Sequence, residues 1–318
     1  MMRQVSLRVC AESEDSGRCR LPEWVRRPPG SVGLTRDTKL KLRKFDANTV
    51  CEQARCPNIA ECFGNGTAAF MILGTVCTRR CRFCAVSRGK PTHRQEEMQK
   101  DAYNVANAAS VLGLKHVVVT SVTRDDLQDG GAMGFVMAIN AIREVVPDAL
   151  VEVLIPDFNG DNDALYCVLE VSPDVLNHNL ETVSRLYPLV RPDADFNRSL
   201  NILKQAAHYR CGEHYCERNR HKRVVKTGFM CGMGETELEM IEAMQQAYEA
   251  GARVCTLGQY LQPTRGHLPV HTYISPAQFE TYKEEGEKIG FNIVNAGALV
   301  RSSYHASMIN HMLQDFKR

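Results

Sequence analysis

The chain has 318 residues, 24% of them charged, and a formal net charge of +2. That length allows one large single-core domain with extensions, or two ordinary domains. No apolar run approaches the ~18 residues of a membrane-spanning helix, and so balanced a charge points to no partner by itself, so neither a membrane nor a nucleic acid is expected as one.

Residues 1–50 are polar, basic and broken by Pro22, Pro28 and Pro29, which reads as an extended or short-helical arm. The first residues mix Arg3 and Arg8 with Glu12, Glu14 and Asp15, unlike a secretory signal or a mitochondrial leader, so a cytoplasmic location is expected. The cysteines are thirteen, an odd number, and six of them crowd into residues 51–84. In a reducing compartment such clustering favours metal ligation over disulfides. The first group is Cys51, Cys56 and Cys62, spaced Cx4Cx5C. Spacing alone leaves open a structural iron or zinc site that pins the arm to the body.

From residue 70 a repeating pattern begins. Short β-rich apolar runs lie at 70–73, 116–120, 150–155, 175–177, 224–229 and 254–257. Between them, Met98, Ala102, Val105, Ala109 and Leu112 keep one helical face, as do Leu238, Ile241, Met244 and Tyr248. Strands alternating with helices predict an α/β fold with a parallel sheet, and six units predict a partial, open (β/α)6 TIM-like barrel more than a closed (β/α)8. The expected division is an N-terminal arm and cluster-binding extension over 1–69, the barrel over 70–270, and a C-terminal extension over 271–318. Chemistry in such a fold sits at the C-terminal ends of the strands, here the segments 77–84, 120–126, 177–179 and 228–235.

Cys77-Thr-Arg-Arg-Cys81-Arg-Phe-Cys84 follows the first predicted strand as a Cx3Cx2C loop. Three thiolates suit three irons of a cubane, and the fourth iron is left open for a substrate. The competing reading is a zinc knuckle, but zinc sites normally complete four protein ligands with paired Cx2C units, and no such pair follows at zinc-ribbon distance. The loop resembles the signature of the radical S-adenosylmethionine superfamily. There the cofactor's amino acid end chelates the open iron, and the reduced cluster splits the cofactor to methionine and a 5′-deoxyadenosyl radical. Gly228-Phe-Met-Cys-Gly232-Met-Gly-Glu235 resembles that superfamily's GxIxGxxE segment, which lies against the adenine. The resemblance implies cofactor contacts at Thr120, Ser121, Asn177, Asn179, Gly228, Gly232 and Glu235. His178 reads as a pocket-lining or ribose-side residue without a chemical role, Cys231 as a small buried side chain, and Glu152 and Asp157 as partners of backbone amides or of the cofactor's ammonium.

The run from Cys51 through Gly64-Asn-Gly66-Thr67 to the Cx3Cx2C loop is similar to the lipoyl synthase family. So are Thr120-Ser-Val-Thr-Arg-Asp-Asp-Leu-Gln-Asp-Gly-Gly131, Val151-Glu-Val-Leu-Ile-Pro-Asp-Phe158, Asn177-His-Asn-Leu-Glu-Thr182, Gly258-Gln-Tyr-Leu-Gln-Pro-Thr264 and Arg301-Ser-Ser-Tyr304. The resemblance runs from about residue 22 to 306. It implies two 4Fe-4S clusters and S-adenosyl-L-methionine as cofactors. It also implies sulfur insertion at C6 and C8 of an octanoyl chain in amide linkage to a lysine, with two S-adenosylmethionines consumed. The second, auxiliary cluster on Cys51, Cys56 and Cys62 would supply both sulfurs and be dismantled. By matching position Ser303 is its fourth ligand, with Ser302 as the alternative; without the resemblance the serines read as a cap for a helix over 304–313. Implied partners are octanoylated lipoyl carrier domains (the glycine cleavage H protein and E2 subunits of 2-oxoacid dehydrogenases), a low-potential electron donor and a cluster-repair carrier.

Arg79, Arg80, Arg82, Arg88 and Lys90 crowd the Cx3Cx2C loop, which reads as a solvated basic face or as a docking surface for an acidic carrier. The segment 208–223 is longer and more basic than the resemblance leads one to expect. Its Cys211, His214, Cys216 and His221 fit a variable exposed loop better than a zinc site. Two other classes compete: a biotin synthase-like or methylthio-transferring enzyme, which shares only the Cx3Cx2C loop, and a two-cluster electron carrier or scaffold, which needs no six-unit body.

Overall fold

The computed structural model describes residues 21–26, 32–65, 67–92, 94–209, 223–304 and 306–309. Cys211, His214, Cys216 and His221, read above as part of a variable loop more than as a zinc site, lie outside the described residues. So do residues 1–20 of the arm.

Seven strands form one sheet: β1 (Ala69–Ile72), β2 (His116–Ser121), β3 (Leu150–Leu154), β4 (Val175–Asn177), β5 (Val224–Cys231), β6 (Val254–Gln259) and β7 (Ile293–Gly297). Each pairs in parallel with the next in chain order. Every crossover therefore steps the same way, as in a barrel, while no ladder joins β7 to β1 among the described residues, so the barrel stays open. The predicted six-strand pattern is present with a seventh strand added from beyond residue 270. That strand, Ile-Val-Asn-Ala-Gly, carries too little apolar alternation to be seen in isolation; β6 supplies its pairing partner.

Ten α-helices are described: α1 (Val32–Lys44), α2 (Val50–Gln53), α3 (Ile59–Gly64), α4 (Met98–Val111), α5 (Ala132–Val145), α6 (Asn162–Glu170), α7 (Tyr187–Val190), α8 (Phe196–His208), α9 (Glu237–Glu249) and α10 (Pro276–Ile289). The crossover helices begin on local signals. Thr236 and Glu239 close a capping box on α9, while Ser275 caps α10 ahead of Pro276. Gly131 and Gly134, at the start of α5, leave room for the Leu73 side chain, whose methyls would lie 2.4 and 2.5 Å from an added Cβ. α1 to α3 form the N-terminal extension. Thr38 ties α1 to α3 by donating to the Phe63 carbonyl at 2.6 Å.

The bottom of the barrel is closed by the C-terminal tail. Ile309, 2% exposed, packs with Val175, Val224 and Val254, and Leu150 and Ile293 complete the cluster. All five partners are the first residues of their strands. No described helix is long and apolar enough to cross a membrane.

Candidate active site

A cavity of about 980 Å³ opens among the C-terminal ends of the strands, and all six motif cysteines line it. Its wall also includes residues of β2 (Thr120, Ser121), the end of β4 (His178, Asn179), β5 (Gly228) and the tail (Ser302, Ser303).

The Cx3Cx2C loop is gripped from four of the barrel's loops. Arg79, 4% exposed, donates to both oxygens of Asp125 at 2.8 Å, pairs with Asp157 at 2.6 Å and reaches Asn159 at 2.9 Å. Arg80 pairs with Asp193 at 2.7 Å. The Arg82 amide donates to the Val190 carbonyl, and the Leu268 amide to the Arg82 carbonyl, both at 2.9 Å. Arg88 donates to the Cys81 carbonyl at 2.8 Å. Arg79 is thus internal bracing, whereas Arg80, Arg82, Arg88 and Lys90 are exposed, and Arg80 and Arg88 tie the loop down from a solvated basic face. Burial alone would raise the Asp157 carboxyl, but Arg79 and Arg198 outweigh it and hold it well below the usual carboxylate range.

Glu152 has a similar fate. It is fully buried and meets Lys226 Nζ at 2.9 Å and His116 Nε2 at 3.1 Å. Burial pushes its carboxyl up, the Lys226 ammonium and His116 pull it down harder, and it rests at about 2. Both carboxylates are held in ion pairs inside the fold, and Asp157 also accepts the Asn159 backbone amide at 3.1 Å, as expected of it.

The thiols of each triad line one cavity and bear on one another electrostatically. Burial pushes Cys51 and Cys84 up to about 12 and Cys62 to about 11, and raises Cys81. Such thiols become thiolates only when a metal supplies the missing charge, so the donor set fits soft iron. Among the described residues no three His, Cys, Asp or Glu side chains converge as ligands of a single ion would. Cysteines serving different corners of a cubane need not so converge.

Of the predicted cofactor contacts, Thr120, Ser121, Asn179 and Gly228 line the cavity. Three buried polar atoms there have no partner among the described residues: Ser121 Oγ, Asn179 Oδ1 and His178 Nε2. Buried polar atoms are nearly always paired, so a polar ligand is what this wall lacks. His178 Nδ1 meets the Ile155 carbonyl at 2.9 Å, so that nitrogen carries the proton, and burial holds the ring down at about 4. Its Nε2 is therefore a neutral acceptor. Asn177, Gly232 and Glu235 stand outside the lining. Glu235 accepts from the backbone amides of Gly232 and Met233, closing its own turn. Gly232, at φ +96°, packs under the Thr272 carbonyl. Asn177 reaches Glu152 at 3.4 Å.

Sequence reasoning missed Glu181 and Arg191. Both line the cavity and both bear electrostatically on Cys81. Glu181 lies inside a quoted motif, but nothing in its residue type announces φ +69°. Arg191 opens an Arg-Pro pair that reads only as a turn, yet it is buried and donates to the carbonyls of Asn179 and Leu180.

The serines lie in a turn closed by the Tyr304 amide to the Arg301 carbonyl at 2.9 Å, ahead of a 3-10 turn over Ala306–Ile309. They cap no α-helix among the described residues. Tyr304 Oη donates to Glu61 at 2.8 Å, beside Cys62.

Residues 71–247 match the family model described as the radical SAM superfamily. A match of that kind carries with it a 4Fe-4S cluster and S-adenosylmethionine. The barrel overlays a crystal structure of Streptococcus suis SuiB bound to S-adenosylmethionine with a TM-score of 0.51 at 12% identity, over 75% of this chain and 53% of that one, a likeness of fold. In sequence, the lipoyl synthase of Rubrobacter xylanophilus is 48% identical over 92% of this chain and 87% of its own length. That of Caldanaerobacter subterraneus subsp. tengcongensis is 48% identical over 91% and 96%. At that identity over nearly its whole length, the chain belongs to the lipoyl synthase family and is a radical SAM sulfur-inserting enzyme.

Proposed function

We propose that the chain inserts two sulfur atoms, at C6 and C8, into an octanoyl-lysyl group on a lipoyl carrier domain. Cys77, Cys81 and Cys84 hold the cluster that binds S-adenosylmethionine; Cys51, Cys56 and Cys62, with Ser303, hold the auxiliary cluster that yields the sulfur. The observation that carries this reading is the single cavity lined by both triads. Two centres that act in turn on one carbon chain have to face the same space.

When bound, these groups supply a 5′-deoxyadenosyl radical strong enough to take hydrogen from an unactivated C–H bond, and a bridging sulfide for the carbon left behind. The chain's own part is to hold, orient and exclude. Arg79 and Arg88 keep the Cx3Cx2C loop in one conformation, so three thiols face the cavity together. Ser121 Oγ can donate, while Asn179 Oδ1 and neutral His178 Nε2 accept, which suits the cofactor's hydroxyls and ammonium. Asn177, Gly232 and Glu235 act one step back, by shaping the ends of β4 and β5. Met71, Val118 and Leu154 give the wall an apolar stretch that suits an alkyl chain and keeps water from a carbon radical.

In this reading residues 1–69 carry the auxiliary triad, 70–270 the radical chemistry and 271–318 the fourth ligand. The carriers served are the glycine cleavage H protein and E2 subunits of 2-oxoacid dehydrogenases, in the cytoplasm, with a low-potential donor and a cluster-repair carrier. The test is one anaerobic assay with reductant, S-adenosylmethionine and an octanoylated carrier. Intact protein should yield 5′-deoxyadenosine and a lipoyl product. Replacing Cys51, Cys56 or Cys62 should abolish sulfur insertion while cofactor cleavage persists; replacing Cys77, Cys81 or Cys84 should abolish both. Lipoyl product formed without Cys51, Cys56 or Cys62 would sink the sacrificial assignment.

A further inference from the structure

The Cx4Cx5C motif leaves five residues between its last two cysteines, and two of these reach the other end of the chain. Asn58, 4% exposed, donates its side-chain amide to the Leu299 carbonyl at 2.6 Å. The Glu61 carboxylate accepts the Tyr304 hydroxyl at 2.8 Å. These two bonds bracket Ser302 and Ser303, and Asn58, Glu61, Tyr304 and both serines line the same cavity as the three upstream cysteines. The segment's other flank is seated on β6. At Gly258 an added Cβ would lie 2.0 Å from the Val300 carbonyl oxygen, so only a residue without a side chain lets the tail pass there.

We propose that Asn58, Glu61 and Tyr304 are positioning residues that grip the tail and hold the serine pair beside the auxiliary triad. This rests on the reading above that Cys51, Cys56 and Cys62 hold the auxiliary cluster. A serine oxygen is a hard ligand on a softer metal, so the iron–oxygen bond cannot be relied on to hold the segment. The grip holds it instead. The spacer of the motif then has work of its own: its backbone sets the cysteine spacing, and two of its side chains deliver the fourth ligand from nearly 250 residues away. How readily the fourth position opens is governed by these two hydrogen bonds as well as by the ligand.

The test needs no turnover. A Cys77→Ala/Cys81→Ala/Cys84→Ala chain reconstituted with iron and sulfide carries the auxiliary cluster alone, and its iron loss to a chelator is followed by the cluster's visible absorption. Adding Tyr304→Phe removes one hydroxyl and should quicken that loss about fivefold, the weight of one ordinary hydrogen bond. Glu61→Ala should match it, and Glu61→Gln, which keeps an acceptor oxygen, should stay near the parent rate; that contrast separates the grip from general loosening. Equal rates in Tyr304→Phe, Glu61→Ala and the parent would overturn the grip while leaving the cluster assignment standing. A Cys77→Ala/Cys81→Ala/Cys84→Ala chain that takes up no cluster would overturn the assignment, and the grip with it.

Discussion

Arg79 shows how far residue type alone can mislead. In sequence it is one of several basic residues around a cysteine loop; in the fold it is buried against Asp125 and Asp157, which come from loops after β2 and β3. Nothing local announces partners 46 and 78 positions away, since the barrel topology brings them. Arg79→Ala leaves Asp157 buried with Arg198 alone, and about 3–5 kcal/mol of stability should be lost, read as a fall in urea midpoint. Arg79→Lys keeps the charge but not the planar fork and should recover only part of it. Cys77, Cys81 and Cys84 are the opposite case: their spacing and position after a strand were legible because thiolate chemistry admits few other uses, whereas for Cys51, Cys56 and Cys62 spacing alone left the choice open. Glu152 offers a pH test. Its folded carboxyl sits at about 2, below the ordinary value of about 4.3. The unfolded chain therefore binds the extra proton between those values. The stabilisation is complete above about pH 4.3 and is lost as pH falls toward about 2, and Lys226→Met should shrink that acid-side slope in a melting series.

Among the elements, the first six strands were readable from their apolar runs because both faces of a parallel sheet in this fold are covered. β7 was not, since it owes its place to β6 and to the tail beyond it. The tail's 3-10 turn has no sequence signature at all, yet Ile309 seals the strand starts of β3 to β7. Ile309→Ala should cost about 2–4 kcal/mol, measured as a lower melting temperature. Gly258→Ala should instead act through the backbone. Its methyl meets the Val300 carbonyl, a contact that cannot be relieved by a rotamer change, so the tail must shift. A loss of auxiliary-cluster content with the Cys77 cluster retained, counted by iron per chain, is the expected outcome.

At the scale of the molecule, an open barrel places one triad on its own loop and borrows the other from an N-terminal extension, with a C-terminal tail bonded to the motif of the second. Which segments face one another across the cavity could not be read from composition or periodicity, only from the resemblance, because the contacts join opposite ends of the chain. That wiring bears on biosynthesis. Cys51, Cys56 and Cys62 leave the ribosome early, whereas Leu299 and Tyr304, which bond Asn58 and Glu61 of the same motif, follow 241 and 243 residues after those partners. Contacts of such sequence separation form late in folding. Until that segment is made the upstream thiols stand without it, so stable loading of that site has to follow its synthesis. A nascent chain stalled before residue 299 should hold no stable metal there, however long it waits.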